Sequence, residues 1–196
     1  MKNLRTALLP LLVAALAASC SSETKHPNEL RAVDSLCREL AKADSLLRSL
    51  PKEQPSAAAA EIQNNIQSAT EAINQLQDTI SIETATFLTE YRSAKKILST
   101  YAEKHDQLRA ALDTLSLNCS HLSNDLRNNS LAADLDPVKS VENEKALAGR
   151  LIDEVRFLVP VAQMGLKRQD SLAPKVKAYI AEMNQKLAEK KAETQK

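Results

Sequence analysis

Beyond its first twenty residues the chain carries apolar residues at helical spacing almost to its end. The first such stretch spans residues 28–50, with Asn28 predicted as the N-cap. Pro51 and Pro55 should end this helix, because proline lacks the amide donor and clashes with the preceding turn. The apolar positions that share one face are Leu30, Val33, Cys37, Leu40 and Leu47.

Residues 56–128 are predicted to form one long helix with Ser56 as its N-cap. Neither glycine nor proline occurs inside this stretch, and a continuous helix would be roughly 110 Å long. Its apolar positions recur at alternating steps of four and three residues, which is the spacing of a coiled-coil seam. The first run is Ile62, Ile66, Ala69, Ile73, Leu76 and Ile80, and the second begins at Phe87 and ends at Leu126.

The two runs differ in register, because two steps of four follow each other where they meet. Such a stutter locally unwinds a seam, and we expect the long helix to change its packing partner there. The first helix would fold back so that Asn28 reaches about residue 78, and the last helix would return so that residue 190 reaches about residue 76. A hairpin turn at 81–86 is the alternative, although that segment contains no strong helix breaker.

A turn is predicted between residues 128 and 137. Asn128-Asn129-Ser130 should end one helix, because asparagine tolerates the left-handed conformation, and Asp136-Pro137 should begin the next. The last helix runs to about residue 192, with kinks or breaks at Pro160 and Pro174. The pattern predicts an all-α fold, an elongated antiparallel coiled coil or helical bundle built on one long central helix. We expect residues 28–192 to form a single domain, followed by a tail at 193–196.

Residues 1–19 have the parts of a secretory signal peptide: a basic start, a short apolar stretch and small residues before Cys20. The apolar stretch is shorter than the ~20 residues that a membrane-spanning helix needs. Cys20 after these small residues resembles the lipobox of bacterial lipoproteins, in which the cysteine becomes the N-terminus and its thiol carries a diacylglycerol. The resemblance implies a lipid anchor at Cys20, followed by a polar tether that ends at residue 27.

Composition excludes several classes of function. The net charge is +1 and falls to about −1 when Lys2 and Arg5 leave with the signal peptide, so no basic face for nucleic acid is expected. The chain has only two glycines and no glycine-rich phosphate-binding loop. Cys37 and Cys119 are predicted to stay unpaired, because the predicted fold separates them by more than the ~7 Å that a disulfide allows.

No catalytic residue, metal site or cofactor is predicted. His105 lies on the seam, where it could act as a pH switch or ligand, but we interpret it as a polar residue tolerated in a long coil. Cys119 and His121 are two positions apart on a helix, so they point in nearly opposite directions and cannot share an ion. The apolar run at 157–161 is interpreted as core. No nucleophile and base recur at useful spacing, so an enzyme is not expected.

Five triplets consist of Asp, then Ser or Thr, then an aliphatic residue, and they resemble the O-glycosylation sequon of Bacteroidetes. Their hydroxyl residues are Ser35, Ser45, Thr79, Thr114 and Ser171. A polar pair before a core position also satisfies helical patterning, and both interpretations stay open. With the lipobox, the triplets make the chain similar to uncharacterised helical envelope lipoproteins of Bacteroidetes, whose activities are mostly unassigned.

These features predict a lipid-anchored envelope protein of structural or interaction type, which presents its coiled-coil body to unidentified protein partners. The alternative is a holdase that binds envelope proteins. The expected location is the outer membrane, facing the periplasm, with exposure at the cell surface left open. The membrane is then a partner through the N-terminal lipid, nucleic acid is not a partner, and self-association stays open. The anchor should join the rod near its waist.

Overall fold

A computed structural model describes residues 24–77 and 79–194. Within these ranges the chain forms four α-helices and no β-strand. The helices are α1 (Pro27–Arg48), α2 (Glu53–Leu76), α3 (Ile82–Asn128) and α4 (Pro137–Thr194). The prediction of an all-α helical bundle is confirmed, because these helices pack on one another along their lengths.

The two longest helices, α3 and α4, form an antiparallel hairpin. Lys104 of α3 pairs with Glu154 of α4 at 2.5 Å. Further along, the rings of Phe87 and Tyr179 meet edge to face with their centroids 6.0 Å apart. At 1.5 Å per residue the 58 residues of α4 span about 87 Å, so this hairpin sets the length of the molecule.

The shorter helices lie end to end along the hairpin, with α1 on one half and α2 on the other. Both pack on α3 and α4, and the two make no helix–helix contact with each other within the described ranges. Each cross-section of the bundle therefore contains three helices, and the molecule has an α1 half and an α2 half.

Helix α1 runs antiparallel to the C-terminal part of α3. Just before α1 begins, the hydroxyl of Thr24 donates to the carbonyl of Leu126 at 2.7 Å. Just after α1 ends, the carbonyl of Leu50 accepts a hydrogen bond from Tyr101. The prediction that the first helix starts beside the middle of the long helix is therefore wrong. The chain enters the bundle at one end and not at its waist.

The predicted helix over residues 56–128 is two helices, because α2 ends at Leu76 and α3 begins at Ile82. The two run antiparallel, so the stutter marks a reversal of the chain and the predicted change of partner along one helix is wrong. The alternative hairpin turn is closer to the structure, but the turn occupies 77–81 and not 81–86.

Helix caps on both sides of this turn hold it in place, and the sequence pattern did not predict them. Gln77 takes the left-handed conformation with φ 54°, and its amide donates to the carbonyl of Ile73 at 3.0 Å. Ser81 then caps α3 by accepting from the amide of Thr84 at 3.1 Å. A left-handed residue other than glycine costs about 1–2 kcal/mol, which burial of the apolar face of α2 against the hairpin offsets.

The last helix returns to this turn, where Lys190 donates to the carbonyl of Leu76 at 3.4 Å. The prediction that residue 190 reaches about residue 76 is confirmed. The reason differs from the predicted one, since α2 reaches this place by running parallel to α4. A cation beside the last carbonyl groups of a helix also interacts favourably with the negative end of its dipole.

Helix α4 is continuous through both of its internal prolines, so neither Pro160 nor Pro174 breaks it, and a kink at either proline stays a prediction. Both prolines lie on the exposed face of the helix. The carbonyl four residues before each proline loses its helical partner, and on this face water can hydrogen-bond it.

The turn between α3 and α4 confirms the local predictions made for it. Asn129 ends α3 in the left-handed conformation with φ 53°, and the amide of Ser130 donates to the carbonyl of Asp125 at 2.9 Å. Asp136 caps α4 by accepting from the amide of Val138 at 3.0 Å. Short polar caps act through their own backbone, which makes them readable without knowledge of the tertiary fold.

The predicted N-caps of the first two helices are wrong. Helix α1 begins at Pro27, one residue before Asn28, and α2 begins at Glu53, three residues before Ser56. Pro55 does not end a helix as predicted, because it lies in the first turn of α2. The amides of a first turn have no intrahelical partner, so proline costs little there.

The core consists of two clusters of buried side chains, one in each half of the bundle. Leu166 packs against both clusters and so lies where the halves meet. Members in the α1 half include Val33, Leu40, Tyr101, Leu112 and Val155, and members in the α2 half include Ile62, Tyr91, Leu98 and Val176.

Substitution by alanine should affect the free energy of unfolding differently at the two glycines, both of which lie in α4. Gly149→Ala is expected to raise the free energy of unfolding by about 0.5–1 kcal/mol, because a Cβ there would meet nothing within 4 Å. In Gly165→Ala the Cβ would lie 3.1 Å from Cγ2 of Ile97 and 3.2 Å from Cδ2 of Leu98, so the gain should be lost. Urea unfolding measures both, and equal gains would contradict the close approach of α4 to α3.

Candidate functional site

A disulfide joins Cys37 of α1 to Cys119 of α3, with the two Cα atoms 5.8 Å apart. The prediction that these cysteines stay unpaired is therefore wrong. Its error follows from the topology: α1 packs on the C-terminal part of α3 and not on the first part of residues 56–128, so the cysteines face each other. The bridge closes a sequence separation of 82 residues and is the covalent tie between α1 and the hairpin.

One end of the bundle receives the chain from the predicted anchor. Thr24 is bonded to the carbonyl of Leu126, and the amide of Lys25 donates to Oδ1 of Asn129 at 2.8 Å. The carbonyl groups of the last helical turn have no intrahelical partner, so Thr24 satisfies one of them. We call this end, formed by residues 24–29 and 125–139, the tether end. The opposite end, with the turn at 77–81, is the far end.

Next to the tether end a polar contact links α1 to α3. The hydroxyl of Ser123, which is buried, donates to Oδ1 of Asp34 at 2.6 Å. The guanidinium of Arg127 lies 3.4 Å from the same carboxylate. With the disulfide, this contact fixes the first turns of α1 on α3.

Cys20 and the signal peptide at 1–19 lie outside the described residues, as does Asp78 of the third triplet. The hydroxyl residue of every triplet is exposed. Four are on outer faces of helices and Thr79 is in the far-end turn, and the five are Ser35, Ser45, Thr79, Thr114 and Ser171. Thr114 also donates to the carbonyl of Ala110 at 2.9 Å. This exposure fits glycosylation and simple helical patterning equally.

His105 lies buried on the seam, as predicted from its spacing, and its neighbours are a tyrosine and an acid. Its ring meets that of Tyr101 edge to face with centroids 5.7 Å apart, and its Nδ1 lies 3.2 Å from Oδ1 of Asp106. The hydrogen bond from Lys52 is the main cause that lowers the pKa of the Asp106 carboxyl. His105, Asp106 and Lys52 therefore form a polar contact between α3 and the segment that joins α1 to α2. They do not converge on a common point as the ligands of an ion would.

Tyr101 is fully buried and donates its hydroxyl proton to the carbonyl of Leu50. Burial raises the pKa of Tyr101 to about 12, from an ordinary value of 10.0. The bond holds the segment that links α1 to α2 against the hairpin. The phenol has no other polar partner among the contacts described, so its role is structural.

Tyr101 makes stability depend on alkaline pH. The folded state favours the neutral phenol, so its contribution is complete below pH 10 and is lost as the pH rises through about 12. Tyr101→Phe should therefore lose less free energy of unfolding over this interval than the wild type. Urea unfolding at a series of alkaline pH values measures it, and parallel losses in the two proteins would contradict the assignment.

A second polar layer crosses the α2 half, and the sequence pattern did not indicate it. The buried amide of Gln169 donates to Glu61 at 2.8 Å, and Lys177 pairs with the same carboxylate at 2.7 Å. Asn65 donates to the hydroxyl of Tyr91 at 3.0 Å, and burial is the main cause that raises the pKa of Tyr91. These groups satisfy one another across all three helices, so the layer fixes the register of α2.

Three open grooves lie between helices of the described part of the chain. The largest of these three has a volume of about 360 Å³ and lies between α2 and α3, lined by small and polar residues such as Ala60 and Gln63. The others, of about 280 and 210 Å³, lie beside Glu39 and beside Glu154. Two of the three grooves are lined by serine as well as by Lys and Glu side chains, but no hydrogen bond joins a serine to either kind of side chain among the described contacts. In the described ranges no group of three His, Cys, Asp or Glu residues could hold a metal ion.

The apolar run at 157–161 is divided between core and surface. Leu158 and Val159 are buried as predicted, but Phe157 is 66% exposed and Pro160 is exposed. Met164, four residues after Pro160, is 59% exposed. Phe157, Pro160 and Met164 recur at the spacing of one helix face, so α4 carries a short apolar strip on its outer side. We call these three residues the α4 strip.

Comparison with protein-family models, with curated proteins and with solved structures finds no match to this chain. Among the described helices, none is both long enough and apolar enough to cross a membrane.

Proposed function

We propose that this chain is a lipid-anchored protein of the bacterial cell envelope, which is held by one end and presents its helical bundle to protein partners. The observation that carries the proposal is the place where the chain enters the bundle. Thr24 follows Cys20 by four residues and is bonded to the last turn of α3. A lipid on Cys20 would hold the molecule by its tether end, from which the body extends about 87 Å along α4.

The disulfide supports export from the cytoplasm. Disulfides persist in the periplasm and at cell surfaces and are rare in the cytosol, where thiols are kept reduced. The signal-like segment at 1–19 and the bond between Cys37 and Cys119 are independent features of the chain, and both fit an exported protein. We propose the outer membrane as the location, with the body facing the periplasm.

The surface of the body supports binding better than chemistry. The two interior polar layers, around Tyr101 and Tyr91, satisfy their own members and do not point into a groove. The α4 strip supplies exposed apolar side chains against which a partner helix could pack. The alternative role is a holdase, which would use the same strip to bind unfolded envelope proteins of many sequences.

Cys20→Ala tests the anchor in the native envelope. We expect the wild-type chain to fractionate with membranes and to have an intact mass raised by its acyl chains, and the variant to lose both. Ser21→Ala is the matched control, because it changes the next residue and keeps the thiol. A wild-type chain without acyl mass would refute the proposal. The same spectrum reports glycans, since a mass equal to the lipidated chain alone would exclude them from the triplets.

A photo-crosslinking side chain in place of Phe157 tests the role of the body. The matched control is the same substitution at Leu117, which is 57% exposed on α3 and lies outside the α4 strip. A small, reproducible set of partners at position 157 alone is expected. A broad set of unfolded envelope proteins would favour the holdase, and equal capture at both positions would count against the strip as a partner surface.

A further inference from the structure

We propose that the tether end rests on the surface of the bilayer that holds the anchor, with Leu135 and Val138 in contact with lipid. The inference rests on the proposed function, because it needs a lipid on Cys20. It adds an orientation: the bundle stands on its tether end, and the far end points away from the membrane.

The length of the chain between the anchor and the bundle brings the two close together. Thr24 lies four positions after Cys20, and four extended residues span at most about 14 Å. Thr24 and Lys25 are bonded to Leu126 and Asn129, so the chain is fixed to the end of α3 from that point onward. Thr24 must therefore lie within about 14 Å of the lipidated residue, and it is hydrogen-bonded to the end of α3 from which the loop at 129–136 leaves.

The loop that begins at Asn129 presents apolar side chains at this end. Leu131 packs against the core, but Leu135 is 51% exposed and Val138 is 49% exposed. Ala132 and Ala133 beside them are exposed as well. Removing apolar surface from water is favourable. A lipid anchor on Cys20 keeps these side chains close to the bilayer, which can cover them.

Charge at the tether end opposes this contact only weakly. Three cations nearly balance four acids there, and these residues are Lys25, Arg127, Lys139, Glu29, Asp125, Asp134 and Asp136. Two of the acids are engaged in hydrogen bonds: Asp125 accepts from the hydroxyl of Ser130, and Asp136 accepts from the amide of Val138. An anionic lipid surface therefore meets about one net negative charge, which salt screens, and apolar contact decides the docking.

The far end provides a matched control within the same chain. Ile82 is apolar and 88% exposed in the turn region at that end. The 47 residues of α3 place it about 70 Å from the tether end, beyond the reach of the tether. If the bundle stands on its tether end, Leu135 meets lipid and Ile82 does not. If the bundle lies flat, both can meet lipid.

The chain contains no tryptophan, so Leu135→Trp and Ile82→Trp each introduce a single reporter. Each full-length lipidated variant is reconstituted in vesicles of phosphatidylethanolamine and phosphatidylglycerol, with and without brominated acyl chains. For Leu135→Trp we expect a blue-shifted emission and a loss of intensity in brominated vesicles. For Ile82→Trp we expect neither. If the Leu135→Trp variant loses its helical circular dichroism, Val138→Trp takes its place.

Water-like, unquenched emission at both positions would overturn the inference while leaving the anchor intact, and so would equal quenching at both. A mass spectrum without acyl chains on Cys20 would overturn the proposed function and the inference together. The Leu135→Trp chain that also carries Cys20→Ala separates the two contributions. It should lose its quenching, and quenching that persists without the lipid would keep the lipid contact but overturn its dependence on the anchor.

Discussion

Replacing Cys37 and Cys119 with serine is expected to lower the free energy of unfolding by about 4 kcal/mol. The bond closes a sequence separation of 82 residues, and cross-linking a loop of that size removes a large part of the chain entropy of the unfolded state. Urea unfolding of the oxidised wild type and the double variant measures the difference. The midpoint should fall in the variant.

Reduction of the wild type provides the control for this prediction. A thiol reductant should lower the midpoint of the wild type towards that of the double variant and leave the variant unchanged. The first helix should also gain amide hydrogen exchange, because the disulfide and the contact of Asp34 with Ser123 are the ties that hold its first turns. Equal stability with and without reductant would show that the bond does not form in the protein.

Leu112→Ala is expected to lower the free energy of unfolding by about 3 kcal/mol. Leu112 is fully buried among the side chains of the α1 half, and alanine would leave a cavity where the leucine side chain packs. The cost therefore contains both the lost transfer of apolar surface and the lost packing contacts. The chevron of folding rates and the urea midpoint report the same free energy if the transition has two states.

Leu117→Ala on the same helix is the matched control, because Leu117 is 57% exposed. It should change the free energy of unfolding by less than about 0.5 kcal/mol, since truncation at the surface opens no cavity. A loss at Leu117 as large as that at Leu112 would mean that Leu117 is covered in solution, for example by a second chain. The pair therefore tests the core and the outer face of α3 together.

The class of fold could be predicted because apolar periodicity reports which face of a helix is buried. The turn after α3 could be predicted too, since Asn129 and Asp136 act through their own local hydrogen bonds. The turn at 77–81 could not. Gln77 has no special preference for the left-handed conformation, and its small local cost is outweighed by packing between residues far apart in the chain.

That one missed turn produced the other errors of topology. With a continuous helix over 56–128, the first helix has to fold back on the beginning of that helix, and Cys37 then lies far from Cys119. Once the chain reverses at 77–81, α2 takes that place, and α1 packs on the C-terminal part of α3. A disulfide is a relation between distant residues, so no local pattern could replace the correct topology.

The candidate site also has one part that a local motif predicts and other parts that depend on the tertiary fold. The lipidation of Cys20 is a local motif and stays a prediction. The tether end is a tertiary feature, because it needs the bonds from Thr24 and Lys25 to the end of α3. The polar layer of Glu61, Gln169 and Tyr91 was also missed, since each member is an ordinary helical residue until three helices bring them together.

The disulfide also changes what a protease could release. Residues 77 and 79–81, which connect α2 to α3, are exposed, and exposed connections are preferred places for a first cut. This turn lies between Cys37 and Cys119, so a cut there leaves both fragments joined by the bridge. With a lipid on Cys20, the nicked protein would remain on the membrane as one covalent unit. Only reduction or a further cut outside the bridged loop would shed the body into the surrounding fluid.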